Sequence, residues 1–133
     1  MTMRILLVAL MLVLVSIEAM AEWVNVGDAS NNSLTVYINS ATIRRNGNMV
    51  KMWTLLDYKT AEVTAKGIPF LSSKSQKEYD CKEERVRGIA LVFTSGNMGQ
   101  GDVIFDDNYV DNWVSISPDS VGERLWKIAC GKL

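Results

Sequence analysis

The sequence predicts an α+β domain: an antiparallel sheet of about six strands with a C-terminal helix packed on it and tethered by a disulfide. Three observations carry this. Between Leu34 and Phe105 apolar residues recur at every second position in several short runs, the period of strands buried on one face. After Ser117 the period becomes helical. Two cysteines, Cys81 and Cys130, fall one in the strand region and one at the end of that helix.

The first element in order is a leader. Arg4 supplies a positive charge, Ile5 to Val15 is an unbroken apolar run, and Ala19-Met20-Ala21 is an A-x-A cleavage site, so residues 1–21 read as a secretory signal peptide that is removed. The run is shorter than the ~20 residues needed to span a bilayer. Glu22 is therefore expected to begin the mature protein. A lipid-anchored protein would carry Cys at that first position, so the expected product, 22–133, is periplasmic or secreted and has no membrane anchor. At 112 residues it is one domain whose core is marginal.

Leu34, Val36 and Ile38 alternate with Thr35 and Tyr37, which predicts the first strand. In the next, Val50, Met52, Leu56 and Tyr58 share one face while Trp53 and Leu55 occupy the other, so both faces are covered over part of its length. Asn46-Gly47 between them is a strong hairpin signal. Thr60 to Ser73, with Gly67 and Pro69 and no clear period, reads as a long surface loop. Ser73 to Lys82 is a mostly polar strand carrying Tyr79 and Cys81. Arg87, Ile89, Leu91 and Phe93 then alternate with Gly88, Ala90 and Val92. The run Gly96-Asn97-Met98-Gly99-Gln100-Gly101 is a turn, and Val103 to Phe105 a last short strand.

In the helix, Ser117 is a candidate cap, Pro118 suits the first turn and Gly131 marks the stop. Val121, Leu125, Ile128 and Ala129 fall on one arc that Trp126 widens, opposite Glu123, Arg124 and Lys127. Cys130 sits at the edge of the arc. Because exported chains meet an oxidising compartment, a bridge to Cys81, 49 positions away, would lock the helix to the sheet.

Composition narrows function. The chain has 14 Lys+Arg, 15 Asp+Glu, a net charge of -1 and no His, which removes Ser-His-Asp and Cys-His catalytic units and His-ligated zinc or haem. It also lacks the basic surplus of a nucleic-acid binder. Asp102, Asp106, Asp107 and Asp111 crowd one window but lack the ligand pattern of a calcium loop. No metal or cofactor is expected. Gly96 to Gly101 lacks the Lys-Ser/Thr that follows a phosphate-binding loop. Trp23, Trp53, Trp113 and Trp126 read mostly as core. The stretch Lys74, Lys77, Lys82, Arg85 and Arg87, interleaved with Glu78, Asp80, Glu83 and Glu84, reads first as a mixed-charge strand edge.

The order Tyr37-Ile38-Asn39, Thr42 to Asn48, Trp53 to Tyr58, Ser73 to Cys81, Arg87, Met98-Gly99-Gln100-Gly101, Trp113 to Asp119 and Ala129-Cys130 resembles the surface-adhesin protein E family over nearly the whole chain from Trp23. The resemblance implies a six-stranded antiparallel sheet with a disulfide-tethered C-terminal helix. It also implies a non-enzymatic role, attachment to host extracellular-matrix components such as vitronectin and laminin. The family's matrix-binding segment corresponds roughly to Ser72 to Arg87, which makes Lys74, Lys77, Lys82, Arg85 and Arg87 the candidate ligand-binding residues. One departure is plain: the named adhesin is a lipoprotein, whereas Glu22 stands where its cysteine would. Two other classes remain as alternatives: a small periplasmic inhibitor of a host enzyme, which needs a protruding loop, and a carboxylate-based hydrolase, which needs two converging carboxylates.

Overall fold

Strand β1 (Val24–Ala29) opens the fold in the computed structural model, which describes residues 22–133; the expected leader, 1–21, lies outside the described residues. It is followed by β2 (Leu34–Ile38), β3 (Arg44–Asn46), β4 (Met49–Val63), β5 (Pro69–Asp80), β6 (Arg85–Thr94), β7 (Val103–Asp107) and β8 (Val114–Ser115), then helix α1 (Val121–Cys130). Among the described residues these eight strands form one antiparallel sheet in the order β1-β2-β4-β5-β6-β7. Strand β3 continues the line of β2 along β4, and β8 continues the line of β7 along β6.

The helix covers one end of one face. Leu125, Trp126, Ala129 and Cys130 are its buried residues, and they pack with Leu34, Val36, Ile38, Val50, Met52, Tyr79 and Cys81 in the core. Spacings of four between Leu125 and Ala129 and between Trp126 and Cys130 put all four on one side. The Cys81–Cys130 bridge, with Cα atoms 5.6 Å apart, ties the end of the helix to the end of β5. Two hydrogen bonds reinforce the same corner: the Trp126 indole N–H donates to the Asp80 carbonyl at 2.9 Å and Lys132 Nζ to the Cys81 carbonyl at 3.1 Å. At the opposite edge Arg124 donates to the Val26 carbonyl in the β1 bulge. Gly27 is required there, because its φ is +119° and a Cβ would lie 2.5 Å from the Arg124 guanidinium.

Four expectations are corrected. Thr60 to Ser73 is not a long loop: β4 and β5 run on as a two-stranded arm to a turn at 64–68. The arm shows no period because residues 59–63 are exposed on both faces, so no burial writes an alternation into the sequence. The helix cap is Ser120 rather than Ser117. Its hydroxyl accepts from the Glu123 N–H at 3.1 Å, while Ser117 supplies only a carbonyl to the Ser120 hydroxyl; Glu three residues after Ser120 is the capping signature that decides between the two serines.

The third correction is the face of β6. Glu78 pairs with Arg87 but Ser75 with Leu91, a register shift that leaves Ile89 unpaired. This bulge turns the strand over. Arg85 and Arg87 thus lie on one face and Leu91 and Phe93 on the other, although they share a parity in the sequence. Fourth, of the tryptophans only Trp126 is buried; Trp23, Trp53 and Trp113 are half-exposed.

Candidate binding surface

The face of the sheet opposite α1 carries a line of charge that strand register assembles. Arg44 pairs with Lys51, Lys51 with Glu78, and Glu78 with Arg87, so four charged residues from four strands stand side by side across β3, β4, β5 and β6. Next to Arg87, Arg85 pairs with Asp80. Both arginines are held by carboxylates: Arg87 Nη2 lies 2.6 Å from Glu78 Oε1, and Arg85 Nε 2.9 Å from Asp80 Oδ2.

Trp113 completes this cluster. The Arg85 and Arg87 guanidinium carbons lie 4.5 and 4.3 Å from its ring centroid, within the range of cation–π attraction. Its place is set by β8, whose Val114 and Ser115 pair with Val86 and Arg85. The sequence pointed to the arginines but not to Trp113, since only the return of the chain along β6 brings it there.

Asp80 anchors the turn below. Burial by itself would raise its pKa, but N–H donors from Glu83 and Lys82 and the Arg85 guanidinium outweigh that and hold the carboxyl below its ordinary value. Lys82 sits exposed on this turn. Lys77 is placed differently. It is an odd number of residues from Lys74 and from Glu78, so it points to the other face of β5; burial pushes its ammonium below the ordinary lysine range, and the Asp111 carboxylate opposes that shift. Lys74 lies on the charged face, against the turn at Gly99. The five cations singled out by sequence thus divide into an Arg85–Arg87 pair beside exposed Lys82, a separate Lys74, and Lys77 on the opposite face.

Two depressions continue the charged face along β4. One, of about 250 Å³, is lined by Arg44, Arg45, Asn46, Met49, Lys51 and Glu78. The other, of about 230 Å³, is lined by Trp23, Asn39, Thr42, Trp53, Lys74 and Val92. At the far end the face is closed by the 96–101 turn: the Met98 N–H donates to Asp57 Oδ1 at 2.8 Å and the Gly99 N–H to Ser72 Oγ at 2.9 Å. Gly99, at φ +71°, lies where a Cβ would be 3.3 Å from the Leu55 side chain.

On the helix side, the part of the sheet beyond α1 is apolar. Tyr58, Phe70, Phe93 and Phe105 form a row with successive centroids 5.8, 4.1 and 5.3 Å apart. A groove of about 420 Å³ runs beside it between the arm and β7.

Nothing in these surfaces assembles a catalytic or metal constellation among the described residues. The two most confined carboxylates, Glu78 and Asp80, are each engaged by an arginine, and no group of three or more His, Cys, Asp or Glu side chains surrounds a common point among those residues.

Comparison with known proteins agrees with the architecture. No curated protein sequence matches the chain. The solved structures of protein E from Haemophilus influenzae share its fold: the crystal structure from a non-typeable strain has a TM-score of 0.63 at 16% identity, covering 86% of this chain and 79% of that one. A second crystal form gives 0.64 at 15% identity over 86% and 91%. The family model for surface-adhesin protein E matches residues 23–131, and the chain belongs to the surface-adhesin protein E family.

Proposed function

We propose that this protein is an exported, non-enzymatic binding protein that attaches to a protein partner through the Arg85–Trp113–Arg87 cluster. The resemblance stated above points to host matrix components such as vitronectin or laminin as the partner. The observation that carries the reading is the cluster itself: a half-exposed Trp between two arginines whose heads are already fixed by Asp80 and Glu78. Trp and Arg dominate the energetics of protein interfaces. Prior fixing of the guanidinium groups also lowers the entropy lost on binding. Lys82 adds a rim charge that steers encounter, and Lys74 stands at the far border of the same face.

Export follows, in this reading, from the leader and its cleavage before Glu22. The test is attachment of the purified 22–133 protein to immobilised vitronectin and laminin. Trp113→Ala is expected to reduce attachment at least tenfold and Lys82→Ser about twofold, with the latter loss vanishing at high salt as rim charges are screened. Equal attachment by Trp113→Ala and the parent, or none by the parent at any salt concentration, would overturn the proposal.

A further inference from the structure

The basic depression next to this cluster has no partner of its own. Among the described residues the salt bridges are Arg85–Asp80, Arg87–Glu78 and Lys127–Glu123, which leaves Arg44, Arg45 and Lys51 exposed and without a carboxylate. Glu78, the one acid lining the depression, is already neutralised by Arg87. Arg44 and Lys51, paired across β3 and β4, therefore put two positive charges on one concavity, and Arg45, paired with the core residue Val50 and so on the alternate side of β3, borders it, in a chain whose overall charge is -1.

The arginine heads are also oriented. Arg44 Nη1 donates to the Ala41 and Ile43 carbonyls at 2.8 and 3.1 Å, so its Nε and Nη2 edge is free. Arg45 Nε donates to the Gly47 carbonyl at 3.1 Å, leaving both terminal nitrogens free. Each guanidinium is braced by main chain while presenting a fork of donors, the arrangement that suits planar oxyanions. Lys51 adds a point charge between them and Glu78.

The neighbouring depression is aromatic. Trp53 follows Lys51 on the same face of β4, about 7 Å along the strand, and Trp23 lies across from it. Asn39 and Thr42 line the aromatic end, and the chain continues directly to Arg44 and Arg45 at the basic end. The two hollows have no lining residue in common but follow one another along β4, and together make a trough with indole rings in one part and the Arg44 and Lys51 cations, bordered by Arg45, in the other.

We infer that this trough binds an acidic oligosaccharide, a sugar chain bearing sulfate or carboxylate groups, with a ring against Trp53 and Trp23 and its anionic substituents on Arg44 and Lys51, Arg45 adding a donor at the border. A sugar supplies both elements: an apolar ring face for the indoles and oxyanions held around its rim. An acidic peptide is the weaker fit, because a bound strand takes its affinity from main-chain bonds along a sheet edge. The trough lies on the face of the sheet and offers side chains only. This site is separate from the Arg85–Trp113–Arg87 cluster, so the two are tested independently.

The experiment titrates the 22–133 protein with a fully sulfated heparin octasaccharide, following tryptophan fluorescence and heat. Poly-L-glutamate, a neutral chitin octasaccharide and inorganic sulfate serve as comparison probes. The octasaccharide is expected to bind, to perturb indole emission, and to weaken more than tenfold from 50 to 300 mM salt as counterion release loses its advantage. Replacing Arg44, Arg45 and Lys51 together by Ser is expected to reduce affinity at least tenfold, while Lys127→Ser, on the helix at the other side of the sheet, leaves it unchanged. If the triple variant does not fold, Lys51→Glu alone is expected to give at least a threefold loss. Absence of binding, undiminished binding by the folded variant, or poly-L-glutamate binding as tightly as the octasaccharide would each overturn the assignment, the last in favour of an acidic peptide.

Discussion

The two faces of this sheet hold together by different means. Under α1 the face is apolar and dry: Val36, Val50 and Met52 are fully buried, and the helix is stapled over them by Cys81–Cys130. The opposite face is a lattice of charge, built from Arg44, Lys51, Glu78 and Arg87 in register and closed at one end by a hydrogen-bonded turn. Burial and a covalent tie stabilise the first face through the free energy of the unfolded chain. The second is organised by directional bonds at a solvent boundary, where each contributes little to folding but fixes side chains for recognition. In the proposed reading stability and binding fall on opposite sides of one layer, and Asp80 is the residue that joins them.

The largest expected effect lies on the helix side. Closing a loop of 49 residues stabilises by about 4 kcal/mol in the chain-entropy model, so Cys130→Ala is expected to lower the melting temperature by roughly 10–20 °C. Reductant should have the same effect on the parent and none on the variant. Calorimetry with and without reductant decides this. A melting temperature that moves by less than about 3 °C would show that burial of Trp126 and Leu125 holds the helix unaided.

A smaller effect is expected at Asp80, which joins the two sides: its carboxylate holds Arg85 on the charged face while its carbonyl accepts from Trp126 in the core. The folded carboxyl has a lowered pKa. Its contribution is therefore complete above the unfolded value of about 3.9 and disappears as pH falls through the lower folded value. Asp80→Asn is expected to cost about 1–2 kcal/mol at pH 7, at the lower end for bonds to a charged group because Arg85 is partly solvated. That cost should shrink as pH falls below the unfolded value. Thermal melts of both proteins across pH 2–7 test the sign; parallel profiles for parent and variant would remove Asp80 from the acid response.

The sequence made the covered side legible and the charged side much less so. Alternation in Leu34 to Ile38 and Val50 to Tyr58, the helical arc around Leu125 and the cysteine pair all record burial, and each corresponds to the core. Strand β1 was missed, because Gly27 and the bulge beside it break its period, and β8 because it has two residues. The charged face is a product of register. Arg44, Lys51, Glu78 and Arg87 are neighbours through pairings that no local spacing announces, and the bulge at Ile89 separates Arg87 from Leu91 against their apparent phase. Trp113 needed the chain to return along β6 before it had a neighbour at all. The candidate cations chosen from 74–87 were those adjacent in sequence, whereas the unpaired ones stand on β3 and β4.

The smallest expected effect separates burial from bonding within the covered face. Tyr79 is 1% exposed in the core, and its hydroxyl faces that of Thr54 without reaching the geometry of a hydrogen bond. Its stabilising contribution thus comes from the ring, packed with Val50, Met52 and Trp126, and the hydroxyl carries only the cost of leaving water. Removing an unpartnered buried hydroxyl while keeping shape is close to neutral or favourable, so Tyr79→Phe is expected to change stability by no more than about 0.5 kcal/mol, and toward stabilisation if at all. Tyr79→Ala, which leaves a cavity the size of the ring, is expected to cost about 3–5 kcal/mol. Urea titration of the three proteins measures both differences. A loss of more than 1 kcal/mol in Tyr79→Phe would mean that the hydroxyl finds Thr54 or an internal water in solution, and that the covered face, like the charged one, depends on a directional bond.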